Sequence, residues 1–207
     1  MIADQLLQRL EVLHKRDLLH RDMKPDNCLL GTGRSGNKVY ITDFGLVRDY
    51  QAKEYGAWND VPDRLNVVGT ARFASLRAHR GKVQSPQDDL ESLSYMLVYF
   101  FLGKLPWQGL KAPDRASKER MILDKKTSID IDDLCVDLPP AFGNFMRAAR
   151  CPPTAKGTDY QEMRGMFHRA AAAADTEYDQ VYDWTIRKYF EDLDESSEHE
   201  KTEQDSA

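Results

Sequence analysis

The sequence predicts a mainly α fold with one or two short β-hairpins set around a loop dense in charged and amide side chains. Three observations predict it. Apolar residues recur at helical spacing at the start of the chain. Two short apolar runs, Cys28-Leu29-Leu30 and Val39-Tyr40-Ile41, flank a turn-forming stretch. The segment from Asp89 to Leu102 is apolar nearly all round.

In order along the chain, Ile2, Leu6, Leu10 and Leu13, with Leu7 and Val12 beside them, predict an amphipathic helix from about Ala3 to Lys15. Pro25 and the polar cluster around it predict a loop. The two apolar runs read as strands, with Gly31 to Asn37 as the turn between them. Asp43 to Arg77 shows no clear period and reads as a long ordered loop. A helix that is apolar all round is a buried one, so Asp89–Leu102 is expected inside the core, ended by Gly103 and Pro106. Further helices are expected at Arg115–Lys125, Pro140–Arg150 and Tyr160–Ala174. No internal repeat is visible.

At 207 residues the chain is long enough for one domain with a substantial core. The net charge of −5 is unevenly spread. From Glu191 onward there are eight acidic residues against one Lys, which makes that stretch −7 and the preceding body +2. Residues 191–207 therefore read as a disordered acidic tail that lacks the apolar surface to fold, and residues 1–190 as the folded domain. The body has no concentrated Lys/Arg face of the kind nucleic-acid binding requires. Cys28, Cys135 and Cys151 have no CxxC spacing, which disfavours a disulfide framework or a zinc site. The opening residues alternate apolar and charged, unlike a signal peptide. Leu93–Leu102 is too short to span a bilayer. A cytoplasmic or nuclear location is expected, without membrane insertion.

The chemistry-bearing stretch is His20-Arg21-Asp22-Met23-Lys24-Pro25-Asp26-Asn27, followed by Asp43-Phe44-Gly45. Either tripeptide, HRD or DFG, could arise alone in a surface loop. Both in this order, with a strand–turn–strand spacer, resemble the signature of protein kinases. The resemblance implies a role for each residue. Asp22 is the carboxylate that orients the acceptor hydroxyl and takes its proton, and Lys24 offsets charge on the transferring phosphoryl group. Asn27 and Asp43 supply oxygen ligands to magnesium, and ATP is the donor. His20 and Phe44 read as packing residues, and Cys28 as core rather than a reactive thiolate.

HRDMKPDNCLLG, NKVYITDFGLVRDY, GTARFASLRAHRG, QDDLESLSYMLVYFFLGKLPWQGLKA and YDQVYDWT make the chain similar to the casein kinase 1 family of Ser/Thr kinases. That resemblance runs from the first helix to about Arg187 and implies the C-terminal lobe of a kinase fold. It also implies that Thr70 bonds the catalytic carboxylate and lysine, and that the buried Asp89 holds the catalytic-loop backbone. A carboxylate there is also a good opening residue for a helix. Arg72 and Lys118 match positions where the family binds an anion near the substrate groove, with Arg115 and Lys111 assisting. Lys111 and Arg115 fit a solvated basic helix face equally well. Protein substrates with acidic or phosphorylated segments are implied as partners.

The match is incomplete in three places. Ser75-Leu76-Arg77 stands where relatives have Ser-Ile-Asn, so a cation enters a usually uncharged position. Arg21 and Arg48 keep part of a second basic cluster, but Leu65 replaces an expected lysine. Met1 aligns with the helix just before the catalytic loop, so the Gly-rich loop, the strand lysine and its helix glutamate are expected to lie outside these residues. An inactive fragment or pseudokinase that binds a partner through its groove is the competing expectation. A small-molecule phosphotransferase fits GTARFAS poorly. In the tail, Asp194-Glu195-Ser196-Ser197-Glu198 resembles a substrate pattern of the same family and suggests Ser196 or Ser197 as a phosphorylation site.

Overall fold

The computed structural model describes residues 1–51, 67–152, 157–179, 181–187 and 189–190. Helix α1 (Ile2–His14) opens the chain and buries Leu6, Leu7 and Leu10 completely. The strands β2 (Cys28–Leu30) and β3 (Val39–Ile41) form the expected antiparallel hairpin, with Leu29 opposite Tyr40. A second pair, β1 (Leu18–Leu19) with β4 (Arg48–Asp49), brackets the His20–Asn27 and Asp43–Gly45 stretches on either side.

The segment expected to be loop, Asp43 to Arg77, contains strand β4, and at its end a short helix begins, α2 (Leu76–His79), capped by the Ser75 hydroxyl, which accepts from the Ala78 amide. Helix α3 (Pro86–Leu102) is the centre of the molecule. It starts three residues earlier than the apolar pattern suggests. Ser85 and Asp88 form a reciprocal capping box, and Pro86 sits in the first turn, where its missing N–H costs nothing. Every residue from Gln87 to Val98 is buried. Gly103, at φ 72°, closes the helix in the left-handed conformation that glycine adopts freely. Helices α4 (Arg115–Ser128), α5 (Ile131–Leu134), α6 (Pro140–Arg150) and α7 (Tyr160–Ala173) follow.

Helix α3 packs chiefly on α6, while α7 packs on both α6 and α1. Phe145 of α6 meets Phe167 of α7 edge-on, with centroids 5.4 Å apart, in the preferred aromatic geometry. Polar pairs fix the surrounding pieces. Asp4 receives Arg164 at 2.6 Å and His168 at 3.0 Å, which ties α1 to α7. Gln5 donates to Asn37 O at 2.7 Å and accepts from the Val39 amide at 2.9 Å, which fixes the hairpin against α1. Among the described residues the fold is mainly α with two small two-stranded sheets, as the apolar periodicity predicts. Among the described residues no helix is long and apolar enough to cross a membrane.

Candidate active site

The catalytic stretch is held from behind by Asp89, in the first turn of α3 and only 1% exposed. Its two oxygens accept from the amides of His20 and Arg21, each at 2.8 Å. They also take His14 Nε2 at 2.8 Å, and the other ring nitrogen of His14 meets the Tyr160 hydroxyl. Burial pushes the Asp89 carboxyl up, but His14 and the two amides outweigh it and keep the group below the usual carboxylate range. Arg21 has φ 65°, a conformation costly for a side chain with a Cβ, and the bond to Asp89 holds it there.

His20 is fully buried. Its Nδ1 accepts from the Asp22 amide at 3.3 Å and its Nε2 faces Thr42 O at 3.0 Å, an arrangement that needs the ring proton on Nε2. The ring also packs edge-on against Phe44 at 5.6 Å. These contacts are structural and hold the loop for its neighbours.

Asp22 is the meeting point. Lys24 Nζ donates to Oδ2 at 2.7 Å, and the Thr70 amide donates to Oδ1 at 2.8 Å. Burial pushes the Asp22 carboxyl up, and Lys24 and Thr70 together outweigh it and hold the carboxyl below its ordinary range. Lys24 is raised in turn, chiefly by its hydrogen bond to Asp22. Among the described contacts Thr70 meets the carboxylate and not Lys24. The approach depends on Gly69, at φ 83°, where a Cβ would stand 2.4 Å from Arg21 O and 3.1 Å from Asp22 Oδ1.

Asn27 is buried and spends its Nδ2 on Asp22 O at 2.9 Å. That leaves its Oδ1 to act as a ligand. The Thr42 amide donates to Asn27 O at 2.9 Å, so the end of β3 delivers Asp43 beside the loop. Asp43 is exposed at φ 61°, and its negative charge acts on Lys24. One amide oxygen and one exposed carboxylate are hard donors that fit a magnesium ion, which keeps several waters and takes few protein ligands. Among the described residues no cluster of three or more His, Cys, Asp or Glu could hold a metal ion. Cys28, next to Asn27, lies 3.9 Å from the Met96 sulfur, and burial pushes its thiol up to about 12. Such a thiol carries little of the thiolate that a nucleophile needs.

Beside Asp22 a groove of about 370 Å³ runs between the 69–72 segment and α4, lined by Thr70, Arg72, Trp107, Arg115, Lys118 and Ile122 among others. Arg72 lies over the faces of Phe73 and Tyr99, at 5.7 and 5.9 Å from the ring centroids. Arg115 is paired with the buried Glu119 at 2.8 Å, so its charge is partly spent inside the protein. Lys118 is exposed, and Lys111 is exposed outside the groove lining. The unusual Arg77 finds partners, donating to Val83 O at 2.6 Å with Asp88 3.6 Å away. Leu65 and the tail, with Ser196 and Ser197, lie outside the described residues.

Sequence reasoning missed the residues beneath this groove. Lys126 on α4 has no exposed surface, and Glu91 and Tyr95 of α3 form a buried network with Arg150. Lysine is almost never fully buried, and nothing in the spacing of α4 marks Lys126 as different from its neighbour Lys125. Trp107, a large aromatic between Pro106 and Gln108, was the one available signal.

The geometry brings the Asp22 carboxylate, the Lys24 ammonium, the Asn27 amide and the Asp43 carboxylate together beside a groove lined by Arg72, Arg115 and Lys118. Residues 1–148 match the family model described as "Protein kinase domain". With that match spanning most of the 207 residues, the chain belongs to the protein kinase domain family.

Proposed function

We propose that the chain acts as a Ser/Thr protein kinase of casein kinase 1 type, with substrates that are acidic or already phosphorylated. Membership of the kinase family implies ATP and a divalent cation in general. One observation supports the finer reading above the others. The Asp22 carboxylate is shared between Lys24 and Thr70, and it adjoins the groove that holds Arg72 and Lys118.

In this reading the acceptor hydroxyl sits against Asp22, which orients it and takes its proton as the new O–P bond forms and the bond to the nucleoside diphosphate breaks. A carboxylate held below its ordinary range is a weak base, so most of its contribution is orientation. Lys24 lies where negative charge spreads over the transferring oxygens. Asn27 and Asp43 would hold the cation, which supplies charge neutralisation when bound. Arg72 and Lys118 would receive a phosphate or carboxylate already on the substrate. In this reading the groove receives a segment of a protein substrate, and the reaction takes place in the cytoplasm or nucleus.

The test is transfer from labelled ATP–Mg²⁺ to a peptide bearing phosphoserine three residues before its acceptor serine. Incorporation at least about ten-fold above that of an Asp22→Asn control is expected, as one catalytic group contributes that much or more. Transfer indifferent to Asp22→Asn overturns the proposal. A second reading, a non-catalytic module that binds phosphorylated segments, is favoured by the contrast between a groove assembled within the described residues and the exposed Asp43 and Phe44. Phosphopeptide binding that persists in Asp22→Asn and is lost in Arg72→Ala, with no transfer in any sample, would establish that reading instead.

A further inference from the structure

The segment from Gly69 to Ser75 carries both Thr70, on the catalytic carboxylate, and Arg72, on the groove. Its amides give it little regular structure, for only Phe73 and Ala74 bond back, both to Thr70 O. Its carbonyls point the other way, into the protein, and there they meet side chains. Lys126 Nζ donates to Ala74 O at 2.6 Å and to Ala71 O at 3.0 Å. Trp107 Nε1 donates to Arg72 O at 2.8 Å. His79 Nε2 reaches Ala71 O at 3.0 Å. Three side chains from three separate parts of the fold therefore hold three carbonyls within four residues.

Lys126 is the member with no other explanation. It is fully buried, under the rings of Tyr95 at 4.6 Å and Trp107 at 5.1 Å, and makes no ion pair within bonding distance among the described residues. Burying an ammonium in such a place is costly, and a methionine would fill the volume at less cost. Desolvation pulls its pKa well below the ordinary lysine value, with Glu91 opposing. Charged or neutral, the nitrogen keeps at least two N–H donors, one for each carbonyl it meets.

We propose that Lys126 is a positioning residue for phosphoryl transfer, clamping the 71–74 backbone from beneath so that Thr70 is pressed onto Asp22 and Arg72 is presented to the groove. This rests on the reading of Asp22 as the reaction centre, but its test does not depend on turnover. The clamp works from the far side of the segment. Asp22 and Gly69 fix the front, Lys126, Trp107 and His79 fix the back, and the segment is too irregular to hold itself between them.

The experiment is amide hydrogen exchange and a phosphoserine-peptide binding titration, both by NMR, on the 207-residue chain and its Lys126→Met variant. Exchange at Thr70, Phe73 and Ala74 is expected to accelerate about ten-fold or more, while amides of Leu93 to Leu97 in α3 stay within about two-fold. Lys126 does not line the groove, yet the peptide Kd is expected to rise about three-fold or more in Lys126→Met as Arg72 loses its fixed place. Trp107→Phe removes one carbonyl contact and no charge, so faster exchange at Thr70, Phe73 and Ala74 there too assigns the effect to loop position rather than to the lost lysine charge. It also serves if Lys126→Met does not fold. Faster exchange spread evenly over the chain, or unchanged exchange at Thr70, Phe73 and Ala74 in both variants, overturns the proposal and leaves Lys126 a packing residue. Because neither readout uses ATP, a chain that shows no transfer at all can still support or sink this inference.

Discussion

The back and the front of the catalytic loop are built differently. Behind it, Asp89 is fully enclosed and binds two amides and a histidine, and every one of those partners is itself buried or backbone. In front, Asp43 and Phe44 are exposed, Phe44 by 55%, and among the described residues Asp43 accepts only from the Gly45 amide at 3.3 Å. Leu29, Leu30 and Tyr40 of the neighbouring hairpin are also open to water. The Asp22 side of the site is thus preorganised by the core of this chain, while the Asp43 side is carried on a thin, solvated edge. Stability and chemistry should therefore separate. Substitutions behind the loop should unfold the protein, and substitutions in front should leave it folded.

The largest effect is expected at the back. Asp89→Ala strands two buried amides and His14, and should cost about 3–5 kcal/mol in urea unfolding. A loss under about 1 kcal/mol would show that the loop does not depend on this anchor. Next is the acid dependence of stability. His79 is buried and its pKa is lowered to about 4 by desolvation first and by the Lys126 charge second. A base whose folded pKa lies below its unfolded value stabilises the fold fully above about 6.5 and loses that contribution as pH falls towards 4. Across that window the loss should approach about 3 kcal/mol, and His79→Gln should flatten the curve. At the hinge between back and front, Gly69→Ala forces both a left-handed φ and a Cβ against Arg21 O. A cost of about 2 kcal/mol is expected, with weaker phosphopeptide binding. Smallest of all, Asp43→Asn should change stability by about 0.5 kcal/mol or less while abolishing any phosphoryl transfer, which separates the two faces in one variant.

The parts of the site that sequence reasoning found are those whose chemistry forces unusual residues into a short span. His20 to Asn27 and Asp43 to Gly45 could be read because the loop packs two carboxylates, an amide, a lysine and a proline into a few positions. The β2–β3 hairpin was legible to the residue because apolar runs flank a Gly-rich turn, and α3 because it is apolar on every side. The β1–β4 pair was not, since two-residue strands are shorter than any detectable period. Helix α2 was hidden because one turn needs only a cap, here Ser75. Lys126 and the Glu91–Tyr95–Arg150 network were invisible for a different reason. Each is a polar residue whose burial is decided by what three other elements bring to it, and no local pattern records that.

The bonds from Asp89 to His20 and Arg21 join residues 69 and 68 apart in the chain, and the His14–Tyr160 contact spans 146. Contacts so distant in sequence can form only after the intervening loops have closed, and their entropy cost falls early while their reward comes late. The catalytic loop is therefore shaped among the last events of folding, and no half-folded species should hold Asp22 in its working geometry. A site held by contacts of this range is complete only when the core around Asp89 is complete.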